Sequence, residues 1–167
     1  MRGITDRTMV LEALEKVGEE VVLQGWVATK RDHGKLTFID LRDRTGSVQC
    51  VGFQMMGELT TESVIEIKGL VKARPERIIN KEQATGAIEI EVKEYTVLNK
   101  AKELPIPVEG DGKEISEEVR LKYRYLDLRR PRMNTALRTR SAFIQALREY
   151  LFAEDFVEVE TPMLTKS

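Results

Sequence analysis

The chain has 167 residues, with 27 Lys and Arg against 28 Asp and Glu, 41% hydrophobic and 33% charged residues, one Cys and one His. That apolar fraction can build a core, no apolar run approaches the roughly 20 residues of a bilayer span, and the opening MRGITDRTMV lacks the apolar stretch of a secretory signal. Wholesale disorder and a membrane partner are set aside, and the expected location is cytoplasmic. Cys50 alone closes no internal disulfide, and His33 as the only histidine makes zinc clusters and His-based dyads poor candidates. The formal net charge of -1 conceals a local +7 between Arg120 and Arg140, where eight basic residues surround the single acid Asp127.

In chain order, TMVLEALEKV at residues 8 to 17 carries Val10, Leu11, Leu14 and Val17 at helical spacing, with Gly18 as the stop. From Val21 to about Asn99 five short β-rich runs follow: VVLQGWVAT, LTFIDLRD, SVQCVGF, VIEIKGLVKA and AIEIEVKEYTVLN. The fifth changes parity between Val92 and Tyr95, which predicts a bulge near Glu94. Phe53 to Thr60, with Met55, Met56 and Leu59, predicts a brief helix between the third and fourth strands.

After Asn99 the segment KAKELPIPVEGDGKEIS has no apolar periodicity and reads as a linker, extended where each proline biases its predecessor away from helix. Residues 116 to 128 predict a helical turn or two, and Pro131 sits at the start of a long helix to about Glu154. Its apolar stripe runs through Met133, Leu137, Ile144, Leu147 and Leu151. Val157 and Val159 then alternate with Glu158 and Glu160 as a short strand ending at Pro162. A helix and one strand cannot bury their own apolar faces, so this part is expected to open a larger, truncated domain.

Five strands in about eighty residues fit an all-β OB-fold barrel with short helices, a layout that often binds oligonucleotides, although other five-stranded barrels share the pattern. The expected division is an OB-fold over 1–100, a hinge over 101–130, and the start of an α+β domain over 131–167.

The strings VVLQGWVATKRDHGKLTFIDLRDRTGSVQCV, ARPERIINKEQATGAIEI, RLKYRYLDLRRPRM and DFVEVETPMLTKS, in this order and spacing, resemble the N-terminal portion of a bacterial-type aspartyl-tRNA synthetase. Lysyl- and asparaginyl-tRNA synthetases share parts of these strings, but the ATG turn and the LRRP run favour aspartate. The resemblance implies an anticodon-binding OB-fold, a hinge, and motif 1 of a class II catalytic domain, with Pro162 in an element at the family's homodimer interface. Motifs 2 and 3, which bind ATP and follow motif 1 in the family, are absent. The chain alone is therefore expected to be inactive and to hold no cofactor, whereas the full-length family member uses ATP and Mg²⁺ as a ligase in protein biosynthesis. The implied partner is tRNA-Asp, with tRNA-Asn as a second substrate, and no DNA. A free-standing RNA-binding OB module is the alternative, and so is the equivalent part of an asparagine or lysine enzyme.

The resemblance also assigns residues. Phe38 matches the phenylalanine that stacks the central anticodon base, although composition alone would make it a core residue. Gln49 matches the glutamine that meets the central uracil, where an amide both donates and accepts. Glu89 matches the acid facing the first base, and Arg31 an arginine beside the anticodon. Lys30, Lys72, Arg74 and Asn80 are candidates for backbone or third-base contacts, since basic loop residues position more often than they specify. His33 and Ile78 occupy positions associated in the family with charging tRNA-Asp alone or tRNA-Asn as well, and both resemble the relaxed form. Trp26 is expected to pack, Asp127 to pair with a nearby arginine, and the hinge arginines either to pair with acids or to touch tRNA phosphates.

Overall fold

A computed structural model describes residues 7–162 of the chain. The described residues divide into two compact units, the first ending at Leu104 and the second starting at Pro105. In the first, β1 (Glu20–His33), β2 (Leu36–Arg42), β3 (Ser47–Phe53), β4 (Val64–Ala73) and β5 (Ile88–Asn99) close into a barrel in the order β1-β2-β3-β5-β4. All neighbours pair antiparallel except β3 with β5, whose parallel contact completes the closure. Closure leaves no long unpaired edge.

Period-two alternation decides which side chains fill it. Leu23, Val27, Ile39, Leu41, Val48, Cys50, Ile65, Ile67 and Ile90 are fully buried inside. Each such aliphatic side chain contributes roughly 1.5–3 kcal/mol of transfer free energy. Burial also pushes the Cys50 thiol up, so it acts as a small apolar filler. In β5 the register slips between the pairs Lys68↔Glu94 and Gly69↔Val92, leaving Lys93 as the extra residue of the expected bulge. Gly69 sits beside it because a Cβ there would lie 2.5 Å from the Glu91 carbonyl oxygen.

Three expectations for local structure are corrected. The opening segment forms only a 3-10 helix, Leu11–Glu15. It is fastened by Asp43 in the β2–β3 turn, whose carboxylate accepts from the backbone N–H groups of Val10 (2.9 Å), Thr45 (2.7 Å) and Gly46 (3.2 Å). Burial opposes the charge on Asp43, but these bonds and the Thr45 hydroxyl outweigh it and hold the carboxyl below the usual range. The stretch after β3 forms turns, with no helix: Gln54, Met56 and Glu62 have φ of 51°, 68° and 66°, left-handed values that break a helix. Met56 and Leu59 still reach the core, so the apolar spacing was a plug and not a helical face. Lastly, residues 156 to 162 form no strand, because no ladder partner exists for them among the described residues.

The second unit contains α1 (Glu117–Lys122), α2 (Arg124–Asp127) and α3 (Pro131–Ala153), with Pro131 in the first turn of α3. Its centre is a buried ion cluster. Asp127, fully buried, takes Arg120 Nε and Nη2 at 3.1 Å each and Arg130 Nε at 3.1 Å, with Arg124 at 3.7 Å. Arg130, also fully buried, donates to the carbonyls of Glu109 and of Pro107, the latter at 2.7 Å. Gly112 (φ +72°) permits this close packing, since a Cβ there would meet Arg130 Nε at 2.6 Å. Hydrogen bonding from Arg120, helped by its charge and by Arg130, holds the Asp127 carboxyl below the usual range despite burial.

By contrast α3 buries none of its side chains among the described residues. Leu137, Phe143, Leu147, Tyr150 and Phe152 are exposed. The chain after α3 folds back through a bidentate Arg148–Glu158 pair (2.7 and 3.0 Å) and a bond from Phe156 N–H to the Leu151 carbonyl (3.0 Å). Pro162 is exposed. No helix among the described residues is long and apolar enough to cross a membrane.

Candidate nucleic-acid interface

The outward-facing parity of β1, β2, β3 and β5 gathers most of the sequence-predicted residues on one barrel surface. Arg31 pairs with Phe38 across β1 and β2, Phe38 with Val51 across β2 and β3, and Asp40 with Gln49 one step further on. Phe38 is thus on the outer face, half-buried, and not the core phenylalanine that composition alone would suggest. Its ring meets His33 edge-on, with centroids 5.5 Å apart and planes at 86°.

Beside Phe38 a polar chain crosses the strands. Arg31 Nη2 lies 3.5 Å from Asp40 and donates to Gln49 Oε1 at 3.5 Å; Gln49 Nε2 donates to Glu89 Oε2 at 3.4 Å; Arg74 Nε approaches the same Glu89 oxygen at 3.5 Å. Every link is long for a hydrogen bond, so incoming donors and acceptors can replace them at little cost. The Arg74 side chain is only 6% exposed and its Nε has no hydrogen-bond partner among the described residues. The carboxylate of Glu89 can accept from two adjacent N–H groups, and Gln49 presents both a donor and an acceptor.

The remaining expected residues sit around this chain with other duties. Lys30 donates to the Gly57 carbonyl and pairs with Asp32 at 3.3 Å, so it ties the loop after β3 to β1. Lys72 faces Glu89 in the register but pairs with Glu91 at 2.8 Å. Asn80 and Ile78 lie on the β4–β5 loop; Asn80 Oδ1 accepts the Glu82 N–H at 3.0 Å, and Ile78 is exposed. Trp26 is half-buried on β1.

Sequence reasoning missed what holds that loop. Gln83 Nε2 donates to the Ser47 carbonyl and hydroxyl at 2.8 Å each, and the Thr85 hydroxyl donates to the same carbonyl. These bonds pin the loop to the start of β3, two residues from Gln49. Gly86 lets the loop close on itself, since a Cβ there would fall 1.8 Å from the Asn80 carbonyl oxygen. The signal lay in the ATG turn, read there as a family mark and not as a fastener.

In the second unit, three of the eight basic residues between Arg120 and Arg140 are committed to Asp127, as pairing predicted. Arg138 donates to Asn134 and Lys122 lies over the Tyr123 ring. No group of three or more His, Cys, Asp or Glu side chains suited to a metal ion occurs among the described residues.

Residues 21–98 match the family described as OB-fold nucleic acid binding domain, and residues 116–167 match tRNA synthetases class II (D, K and N). The chain is 48% identical over 157 residues to an aspartate–tRNA(Asp/Asn) ligase of Moorella thermoacetica, covering 90% of this chain and 26% of the relative. An aspartate–tRNA(Asp/Asn) ligase of a Geobacillus strain is 48% identical over 165 residues, covering 93% and 28%. The chain therefore spans about a quarter of the length of the curated relatives it matches. Among solved structures, asparaginyl-tRNA synthetase from Pyrococcus horikoshii superposes with a TM-score of 0.79 at 31% identity, over 97% of this chain and 39% of that one. Aspartyl tRNA synthetase from Entamoeba histolytica shares the fold, with a TM-score of 0.83 at 24% identity over 95% and 39%.

Proposed function

Since the chain belongs to the aspartate-tRNA ligase family, carrying its anticodon-binding OB domain and the opening segment of its class II domain, we propose that the outer barrel face reads the anticodon of tRNA-Asp. The observation that supports this most is the continuous row Phe38, Arg31, Gln49, Glu89 and Arg74 on one surface. In this reading Phe38 stacks the central base, a contact worth roughly 1–3 kcal/mol. Gln49 releases Glu89 and Arg31 to hydrogen-bond the edge of the central uracil, and Glu89 accepts from the N–H groups of a first-position guanine. Arg31 and Arg74 balance the charge of Glu89 and Asp40 in the free protein and turn toward RNA when it binds. Lys30 and Asn80 act chiefly by shaping loops, and Lys72 supplies a backbone contact.

The relatives matched include ligases named for both tRNA-Asp and tRNA-Asn, and His33 beside Phe38 fits the relaxed form. We assign charging of both tRNAs to the full-length protein, with Ile78 as the second position concerned. Aspartate activation with ATP and Mg²⁺ belongs to the remainder of that protein, and this chain alone is inactive. The exposed stripe of α3 and the segment to Pro162 belong to a homodimer interface of the whole enzyme, which works in the cytoplasm. The comparisons favour this reading over a free-standing OB module, because both matched families occur in one chain.

The test is binding of the 167-residue chain to hairpins bearing GUC, GUU or UUU anticodon loops at fixed, near-physiological salt. GUC and GUU are expected to bind alike and well above UUU. Preference for UUU, or equal binding of all three, would overturn the assignment.

A further inference from the structure

The reading row has an end that no role above accounts for. Beyond Phe38 the outer surface stays apolar: Leu36 pairs with Phe53 at the last position of β3, and His33 pairs with Leu36 from β1. Phe53 has the outward parity of Gln49 and Val51 and is 56% exposed, with Leu36 at 39%. More than half exposed, the Phe53 ring adds little to the barrel core, and with Leu36 opposite it forms a contiguous apolar patch at this end of the face.

The surrounding backbone fixes Phe53 in place. Gln54 N–H donates to the Lys35 carbonyl at 2.8 Å, closing the strand end. The left-handed turns at Gln54 and Met56 send Met56 inward while Phe53 stays outside. Gly52 makes room for the methionines, since a Cβ there would lie 2.5 Å from Met56 Cε. The ring is thus presented by a fixed strand end.

Phe38 and Phe53 are diagonal neighbours across β2 and β3, at a spacing of roughly 7–8 Å, within reach of aromatic side chains. Single strands bind by stacking successive bases on such aromatics while cations follow the backbone. Lys35 is exposed beside this end, and Arg31 lies between it and Gln49. Along the face the order runs from Glu89 through Gln49 and Phe38 to Leu36 and Phe53. If Glu89 faces the first anticodon base and Phe38 the central one, the next base arrives at Phe53.

We propose that Phe53, supported by Leu36 and bordered by His33, is a second stacking platform, occupied by the nucleobase that follows the central anticodon base. The assignment rests on the anticodon reading above, which fixes the direction of the RNA. It gives His33 a physical setting, between two stacked bases, where it can sense the third one.

The experiment measures affinity of the full chain for the GUC hairpin and for the same hairpin made abasic at the third anticodon position, using Phe38→Ala, Phe53→Ala and Phe53→Trp. Phe53→Ala is expected to weaken the GUC hairpin roughly 5- to 100-fold and Phe53→Trp to restore it. On the abasic hairpin Phe53→Ala and the parent chain should bind alike, the signature of a coupled pair. Because the ring is exposed, thermal unfolding should be unchanged. Equal weakening of both hairpins, or no effect of Phe53→Ala where Phe38→Ala is damaging, overturns the second platform and leaves the anticodon reading intact. If Phe38→Ala is also silent, the anticodon reading falls and the platform with it.

Discussion

In the barrel Leu23, Ile39, Leu41, Ile65, Ile67 and Ile90 are sealed from solvent by strands that close on themselves, whereas α3 leaves Phe143, Leu147, Tyr150 and Phe152 exposed along its length. Buried charge is used differently in the two units: in the barrel Asp43 caps a turn and Glu62 pairs with Arg42 at 2.7 Å, both beside an apolar core, while the second unit is organised around the fully buried Asp127 and Arg130. One region is held by its own apolar core; the other is held locally by charge and carries an apolar face without a partner among the described residues. Reading a loop of RNA needs groups fixed to within fractions of an ångström, and only the first region supplies that rigidity from its own residues.

The comparison predicts separable failures. The largest is expected for Arg130→Ala, which strips Asp127 of a partner and leaves the Pro107 and Glu109 carbonyls unpaired. Breaking a buried pair in this way costs about 3–5 kcal/mol. Hydrogen exchange should show protection lost in α1, α2 and the start of α3 while β1 to β5 keep theirs; loss of protection in both would show that the two regions do not fold independently.

A smaller effect is expected for Gly86→Ala. The new Cβ would overlap the Asn80 carbonyl and force the loop off Ser47, an overpacking cost of roughly 1–3 kcal/mol. RNA affinity should fall with it, since the displaced loop borders Gln49 and Glu89, and α3 should be unaffected.

Acid should produce the mildest contrast. Asp43 and Asp127 are both held below the ordinary aspartate value of 3.8, so the stability each adds is full above that pH and is lost as pH falls through its lower folded value. Asp43→Asn is expected to lower protection around the β2–β3 turn already at neutral pH and to blunt its further loss down to pH 3, and Asp127→Asn to do the same in α1 and α2, both read by residue-resolved exchange. An identical acid profile in both variants and the parent would contradict the assignment.

How much of this could be read beforehand depended on the physics involved. Alternation over Ile65, Ile67 and Val71 and the parity change near Glu94 disclosed the strands and the bulge, because a half-buried strand writes its geometry in period two. The stretch through Met55, Met56 and Leu59 misled, because a three-residue apolar spacing fits either a helical face or a plug on left-handed turns. Val157 and Val159 alternate like a strand, yet a strand exists only with a neighbour, and none is present for them among the described residues. The grouping of Phe38, Arg31, Gln49 and Glu89 on one outer face came through family resemblance and not from composition, which placed Phe38 inside. Gln83, Thr85 and Ser47 were silent because their role depends on two loops meeting in space. Arg130 reads in the sequence only as one of several hinge arginines that pair with an acid or touch phosphate, since nothing local announces that two linker carbonyls will turn toward it.

We place RNA recognition on the outer face of the barrel. Amide shift mapping of the full 167-residue chain during titration with the GUC hairpin tests it most directly. Saturable shifts are expected at Arg31, His33, Phe38, Gln49, Phe53 and Glu89, with α3 unmoved. Shifts concentrated between Arg120 and Arg140, with the barrel face unchanged, would contradict it.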